Sequence, residues 1–299
     1  MDKKLNVAVV GGDLRIAKAA QVLIESGFEV RVWGIDDKYF SENVCVKSCE
    51  EAASNADVLI LPTPPSEDEV RVSCPLFSEE SGIKIHKLLD MLPPNAVIMG
   101  GRMSPRLRDI ITKKGFSTYD YFNREELLIK NAVPTAEGAI GIAIDKMPKT
   151  IYNSKIAVVG YGRIGEALAL KLNLLGAKVT VYVRKLSGVA KAQSQGLNGR
   201  RIEFVNKESS LCELASGYDL IYNTVPYWII TEDIIKNISK TTMIVDLASA
   251  PGGIDMIAAK KYDINVIRAL ALPGKTAPET AGEIIAESII NTVKEELVI

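Results

Sequence analysis

One local pattern occurs twice in this chain and narrows its fold more than any other feature. A short run of small and β-branched apolar residues leads straight into glycine and then into helical periodicity. Asn6-Val7-Ala8-Val9-Val10-Gly11 is answered by Lys155-Ile156-Ala157-Val158-Val159-Gly160, and Asp57-Val58-Leu59-Ile60 by Asp219-Leu220-Ile221-Tyr222. Strands that are apolar at nearly every position are buried on both faces, a property of parallel sheets covered by helices on both sides. The alternation predicts strands over 6–10, 29–33, 58–61, 96–99 and 117–119, with a helix over 14–26 that Gly27 stops and a break at Pro93-Pro94. A second set is predicted over 155–159, 178–183, 220–223, 243–246 and 265–268. The expected fold is α/β, with two doubly wound parallel-sheet (Rossmann-like) domains in tandem and an interdomain cleft.

Two helical segments fall outside either repeat. One runs from Pro134 to Asp145, with Pro134 as its first residue; the other runs from Pro278 to Glu296 and carries Ile284, Ile285, Ile289, Ile290 and Val293 at helical spacing. They are expected to bridge the halves, the last one packing on the first domain. The domains then comprise 1–133 with 278–299, and 134–277.

At 299 residues and 47% hydrophobic content the chain can fill two cores. A net charge of −1 gives no overall field to recruit nucleic acid or a membrane surface. Lys113-Lys114 and Lys260-Lys261 read as solvated helix ends. The first apolar run breaks at Gly11-Gly12, too early for a signal peptide, and no uninterrupted apolar stretch of about 18 residues occurs. Cys45, Cys49, Cys74 and Cys212 lack the paired spacing of a zinc site, and reduced thiols in a cytoplasm are expected. Val44 and Val46 beside Cys45 favour a short strand there. A homodimer stays open.

Gly160-Tyr161-Gly162-Arg163-Ile164-Gly165 fits G-x-G-x-x-G, and its context gives the match force. It follows an apolar strand, opens a helix that stops at Gly176, and precedes a second β-branched strand. Gly160 permits the turn, Gly162 lets backbone amides approach a pyrophosphate, and Gly165 lets helix and strand touch. The next strand ends not in an acid but in Arg184-Lys185, with Ser187 beyond. Two cations and a hydroxyl suit the 2′-phosphate of NADP, although a solvated basic pair would look the same. Thr224, Val225 and Pro226 after one strand, and Leu247 and Ala248 after the next, stand where loops flank a dinucleotide. At the equivalent turn of the first half, Gly11-Gly12-Asp13-Leu14-Arg15 lacks the three-glycine spacing. Gly12 and Arg15 are candidates to hold an anion there; the alternative is a purely structural turn.

The single histidine, His86, has no neighbouring motif, which argues against a Ser-His-Asp hydrolase and against a dehydrogenase with a His-carboxylate pair. No Walker A motif or cluster of metal ligands is present. Asn131, Thr135 and Glu137 are the catalytic candidates, with Thr135 and Glu137 expected in the first turn after Pro134. Lys275, in Leu272-Pro273-Gly274-Lys275-Thr276, lies at the opposite crossing and is a candidate anchor, as are Arg102 and Arg124, which adjoin first-domain strands.

Taken together, Gly11 to Arg15, Asn131 to Gly138, Gly160 to Gly165, Asp246-Leu247-Ala248-Ser249-Ala250-Pro251-Gly252-Gly253, Leu272-Pro273-Gly274 with Ala277-Pro278, and Thr280-Ala281-Gly282 resemble the dipicolinate synthase A subunits of spore-forming bacteria. The motifs stand in that family's order across nearly the whole chain; Ala250 departs from it where some members carry a basic residue. The resemblance implies a sporulation enzyme that oxidises a dihydropyridine-2,6-dicarboxylate (dihydrodipicolinate) to dipicolinate with NADP, in a heteromeric complex with a second, flavoprotein-like subunit. Two other readings stay open: a two-domain dehydrogenase of the 2-hydroxyacid or alanine type, and a non-catalytic NADP-binding scaffold or sensor.

Overall fold

The computed structural model describes residues 4–41, 43–78, 82–202, 204–205, 208–215 and 217–297. The chain forms two compact units, residues 1–131 with 277–299, and residues 132–276.

The first unit begins with β1 (Asn6–Val10), α1 (Leu14–Glu25) and β2 (Glu29–Trp33), followed by α2 (Cys49–Ala53), β3 (Val58–Ile60) and α3 (Ile85–Asp90). Next come β4 (Val97–Gly100), α4 (Pro105–Lys113) and β5 (Ser117–Asp120), and then α5 (Glu125–Lys146), which continues into the second unit. The strands make one parallel sheet in the order β2-β1-β3-β4-β5. That is a flavodoxin-like order whose direction of winding reverses between β1 and β3, the place where such sheets bind ligands beyond their carboxyl ends. Alternate strand residues serve opposite faces. Val7 and Val9 pack with α1, while Ala8 and Val10 pack against α2, α3 and α4. Asp13 and Ser104 cap α1 and α4 by accepting from the amides of Arg15 and Leu107.

The second unit holds β6 (Lys155–Val159), α6 (Arg163–Leu174), β7 (Lys178–Val183), α7 (Leu186–Ser194) and β8 (Asn198–Arg201), then a short antiparallel pair, β9 (Phe204–Val205) and β10 (Glu208–Ser209). It continues with β11 (Leu220–Asn223), α8 (Glu232–Ile235), β12 (Met243–Asp246), α9 (Met256–Lys261), β13 (Asn265–Arg268) and α10 (Leu272–Thr276). Its six-stranded parallel sheet runs β13-β12-β11-β6-β7-β8, the dinucleotide-binding order with β6 as first strand. α11 (Pro278–Glu296) returns to the first unit, where Ile284, Ile285, Ile289 and Val293 are buried with Ile16, Ala20 and Leu23 of α1. Gly282 makes that approach close: a Cβ there would lie 2.5 Å from the Arg15 carbonyl oxygen.

Two expectations need correction. α5 starts at Glu125, nine residues before Pro134, so Thr135 and Glu137 lie inside the helix and not in its first turn. Proline removes one i to i−4 hydrogen bond, here to the carbonyl of Lys130. Burial of Ala132, Ala136, Ala139 and Ala143 holds the helix together across that gap. The same helix is long and apolar enough to cross a membrane by length and composition, with half of that stretch buried in protein. Lastly, Cys45 forms only an isolated bridge with Val32. Burial pushes the Cys45 and Cys49 thiols up to about 12 and that of Cys74 up to about 11, which keeps all three protonated at neutral pH. His86 is exposed on α3.

Candidate functional site

At the carboxyl end of β6 the chain must leave the sheet and start a helix within a few residues. Gly160 does so in the left-handed region, at φ +97°, and donates its N–H to the Tyr182 carbonyl (2.8 Å). A Cβ at Gly160 would overlap the Thr224 hydroxyl, and one at Gly165 would overlap the Gly160 carbonyl oxygen. Thr224 itself donates to the Val159 carbonyl, 3.0 Å away. Gly162 is different. It is the N-cap of α6, offers no side chain to the first-turn amides, and a Cβ there would have nothing within 4 Å. Open space in front of uncapped helix-end amides is what a diphosphate requires. Arg163 and Ile164 follow in the first turn, Arg163 exposed and Ile164 half-buried.

Tyr161 closes one side of this turn. Its hydroxyl donates to the Gln195 amide oxygen, while Gln195 Nε2 donates to Glu166 (2.9 Å) and Glu166 also accepts from Lys191. Burial, then the nearby Glu166 carboxylate, pushes the Tyr161 phenol up to about 12. This side-chain network joins α6 to α7; the sequence gives no local signal for it, because its members lie up to 34 residues apart.

Arg184, Lys185 and Ser187 are all exposed at the end of β7 and the start of α7, with Lys185 as the N-cap. Neither Arg184 nor Lys185 has an acidic partner among the described residues. Thr224, Val225 and Pro226 are half-buried after β11. Leu247 and Ala248 are buried after β12, the Leu247 side chain within the core, so only their backbone faces outward chemistry. A buried pair joins these two loops: Asn223 donates to Asp246 (2.8 Å) and to the Val225 carbonyl (3.1 Å).

The first unit uses the same turn to opposite effect. Gly11 also has φ above zero and donates to the Trp33 carbonyl (2.8 Å), as Gly160 does to Tyr182. Here, though, Gly12 N–H is taken by the Ser73 carbonyl (2.9 Å), and the Asp13 carboxylate caps α1. A fixed negative charge and a filled turn stand where a pyrophosphate would sit, so this unit cannot hold a dinucleotide in the same way.

Arg15 folds back onto Asp13, Nη2 to Oδ2 at 2.7 Å, and donates to the Thr63 carbonyl at 2.8 Å, joining the loops after β1 and β3. Arg102, after β4, lies 4.9 Å from the Phe122 ring centroid at its Cζ. Desolvation, then the nearby Arg15 guanidinium, holds its pKa below the ordinary arginine range. Arg124 is engaged elsewhere: it pairs with Glu126 and, at 2.7 Å, with Glu295 of α11. Lys275 is exposed on α10. Along α5, Asn131 and Thr135 are four residues apart and share a face, whereas Glu137 is turned about 120° from Asn131 and pairs with Lys171 at 2.9 Å. Thr135 is buried and Asn131 half-buried.

Residues 6–122 match the family described as the N-terminal domain of the dipicolinate synthase A subunit. Residues 135–251 match the D-isomer specific 2-hydroxyacid dehydrogenase, NAD binding domain. Over 293 residues the chain is 33% identical to the dipicolinate synthase A subunit of Bacillus subtilis (strain 168), with 97% of this chain and 96% of the relative covered. The crystal structure of the dipicolinate synthase A chain from Bacillus subtilis superposes with a TM-score of 0.85 at 31% identity, covering 99% of this chain and 97% of that one. That of the dipicolinate synthase A subunit from Bacillus halodurans gives 0.87 at 27% identity, covering 98% and 100%. The second unit is thus the nicotinamide-dinucleotide-binding domain of an oxidoreductase-type chain.

Proposed function

The chain belongs to the family of dipicolinate synthase A subunits, and from that membership we propose that it oxidises a dihydropyridine-2,6-dicarboxylate to pyridine-2,6-dicarboxylate with NADP. The ring loses a hydride and a proton and becomes aromatic, which drives the step. When bound, the oxidised nicotinamide supplies the hydride acceptor. The chain's own part is to bind and orient. First-turn amides of α6 beside Gly162 hold the diphosphate, and Arg184, Lys185 and Ser187 hold the 2′-phosphate. Substrate carboxylates need cations that are not already neutralised. Arg15 and Arg124 are held in ion pairs, which leaves Arg102 and Lys275 as the anchors. Glu137 is proposed to take the proton, as the one carboxylate among the polar candidates of α5. The relatives' designation as A subunits supports a second subunit as partner, and we propose that it is flavoprotein-like.

The observation that carries NADP over NAD is the pair of exposed cations at the end of β7, which have no acidic partner among the described residues. Titration calorimetry should show NADP binding at least tenfold tighter than NAD. Arg184→Asp should remove most of that preference by weakening NADP and sparing NAD. Equal affinities in the unaltered protein would overturn the assignment.

A further inference from the structure

Arg102 stands in a backbone conformation that needs explaining. It is not glycine, yet its φ is +54°, a left-handed conformation that is unfavourable for an ordinary side chain and that survives where the surroundings enforce it. On one side Gly101 is packed so tightly that a Cβ would overlap the Tyr121 ring. On the other, the Met103 amide donates to Asp120 Oδ2 (3.0 Å). The Arg102 amide donates to Asp120 Oδ1 (2.9 Å), as does the Phe122 amide (2.9 Å), and Arg108 Nη2 reaches Oδ2 at 2.6 Å.

The Asp120 side chain is 2% exposed. Both of its oxygens are used by four donors from the loop after β4, from α4 and from its own strand end. None of those hydrogen bonds comes from the Arg102 guanidinium. That guanidinium instead lies over the Phe122 ring, with Cζ 4.9 Å from the ring centroid, a contact that does not neutralise its charge. Asp13 balances Arg15 beside it, so the local excess of positive charge belongs to Arg102. The loop follows β4, next to β3, where Arg15 holds the Thr63 carbonyl at the reversal of the sheet's winding.

We infer that Arg102 is the contact of a carboxylate subsite in the first unit, that Asp120 is its positioning residue, and that the ligand is one carboxylate of a planar aromatic or dihydroaromatic dicarboxylate. The inference rests on the proposed reaction for the identity of that ligand. Asp120 acts through backbone: it holds the left-handed turn that aims the guanidinium outward, and by committing its oxygens to amides and Arg108 it leaves Arg102 free to pair with an incoming anion. Lysine at position 102 would keep the charge but lose the guanidinium's forked donors.

The test is calorimetric titration of pyridine-2,6-dicarboxylate, and of pyridine without carboxylates, into the full chain, with NADP affinity and thermal unfolding measured on the same samples. The unaltered protein should bind the dicarboxylate and not pyridine. Arg102→Gln should weaken it 10- to 100-fold, the range for lost charge-assisted bonds, with Arg102→Lys in between. Both should keep NADP affinity and Tm, because among the described residues the guanidinium makes no hydrogen bond or ion pair and its ring contact is with Phe122 alone. Asp120→Asn should weaken the dicarboxylate while NADP affinity holds. A merely structural Asp120 would instead lower Tm and leave the dicarboxylate affinity of the folded fraction intact. Dicarboxylate binding that is absent in the unaltered protein, or unchanged in Arg102→Gln, overturns the subsite. The reaction fails separately: Arg102-dependent binding without NADP-coupled turnover would sink the reaction and keep the subsite, and normal turnover with an unchanged KM in Arg102→Gln would do the reverse.

Discussion

Two glycines three residues apart in one turn have different reasons to be glycine, and the difference is measurable. At Gly165 an added methyl meets the Gly160 backbone, which cannot yield without moving α6 off β6. At Gly162 it meets only open space, and the backbone there, φ −85°, suits any residue. Gly165→Ala should therefore destabilise the fold by about 1–3 kcal/mol, as forced overpacking does, seen as a lower denaturation midpoint. Gly162→Ala should leave that midpoint unchanged and still cut NADP affinity at least tenfold, because its methyl occupies the ligand's space. Unchanged NADP affinity in Gly162→Ala would show that the diphosphate does not approach this amide. Glu137 is the second residue to test. Its carboxylate is exposed and tied to Lys171, yet a base acting in the slow step contributes about 10²–10⁴-fold to kcat. Glu137→Gln should lose that factor with little change in KM; full kcat in the variant would take the base off this residue and leave the Asn131–Thr135 face to examine.

Among the elements, α11 is the one whose position depends most on sequence far away. It is the last segment of the chain but fills the core built by the first, and its buried face, Ile284, Ile285, Ala286, Ile289 and Val293, covers α1. Salt bridges at its rim, Arg124–Glu295 and Lys130–Glu287, are exposed enough to add little; apolar burial and the close crossing at Gly282 do the holding. Gly282→Val should thus force α11 away from the Arg15 carbonyl and lower Tm by several degrees, with urea unfolding showing a loss of about 1–3 kcal/mol. A variant as stable as the parent would mean the helices do not cross there.

At the scale of the whole chain, the tandem of doubly wound sheets was legible because both βαβ starts obey the same physics: fully apolar strands, then glycine, then a helix. What stayed illegible has physical reasons. β8 reads Asn-Gly-Arg-Arg, a polar edge strand on which only Gly199 is buried, so it lacks any apolar alternation. The start of α5 was hidden by Pro134, whose local helix-breaking signal is outweighed by the small residues buried around it. Asp120 and the Tyr161–Gln195–Glu166 network connect residues through space, and nothing near Asp120 in sequence marks it as more than a strand-end carboxylate. The candidate anchors could be named as cations, but which of them are already neutralised depends on Asp13, Glu126 and Glu295, partners that only the fold reveals.

The proposed activity of the whole chain is coupled chemistry: one dinucleotide reduced for each ring aromatised. The most direct measurement is single-assay stoichiometry, with dihydropyridine-2,6-dicarboxylate generated in place and supplied to the purified chain, with and without its second subunit. NADPH is read by absorbance and dipicolinate by chromatography. One NADPH for each dipicolinate formed, at a rate that depends on this chain and falls when NAD replaces NADP, is the predicted result. Dipicolinate formed at the same rate without NADP, or without this chain, would contradict it.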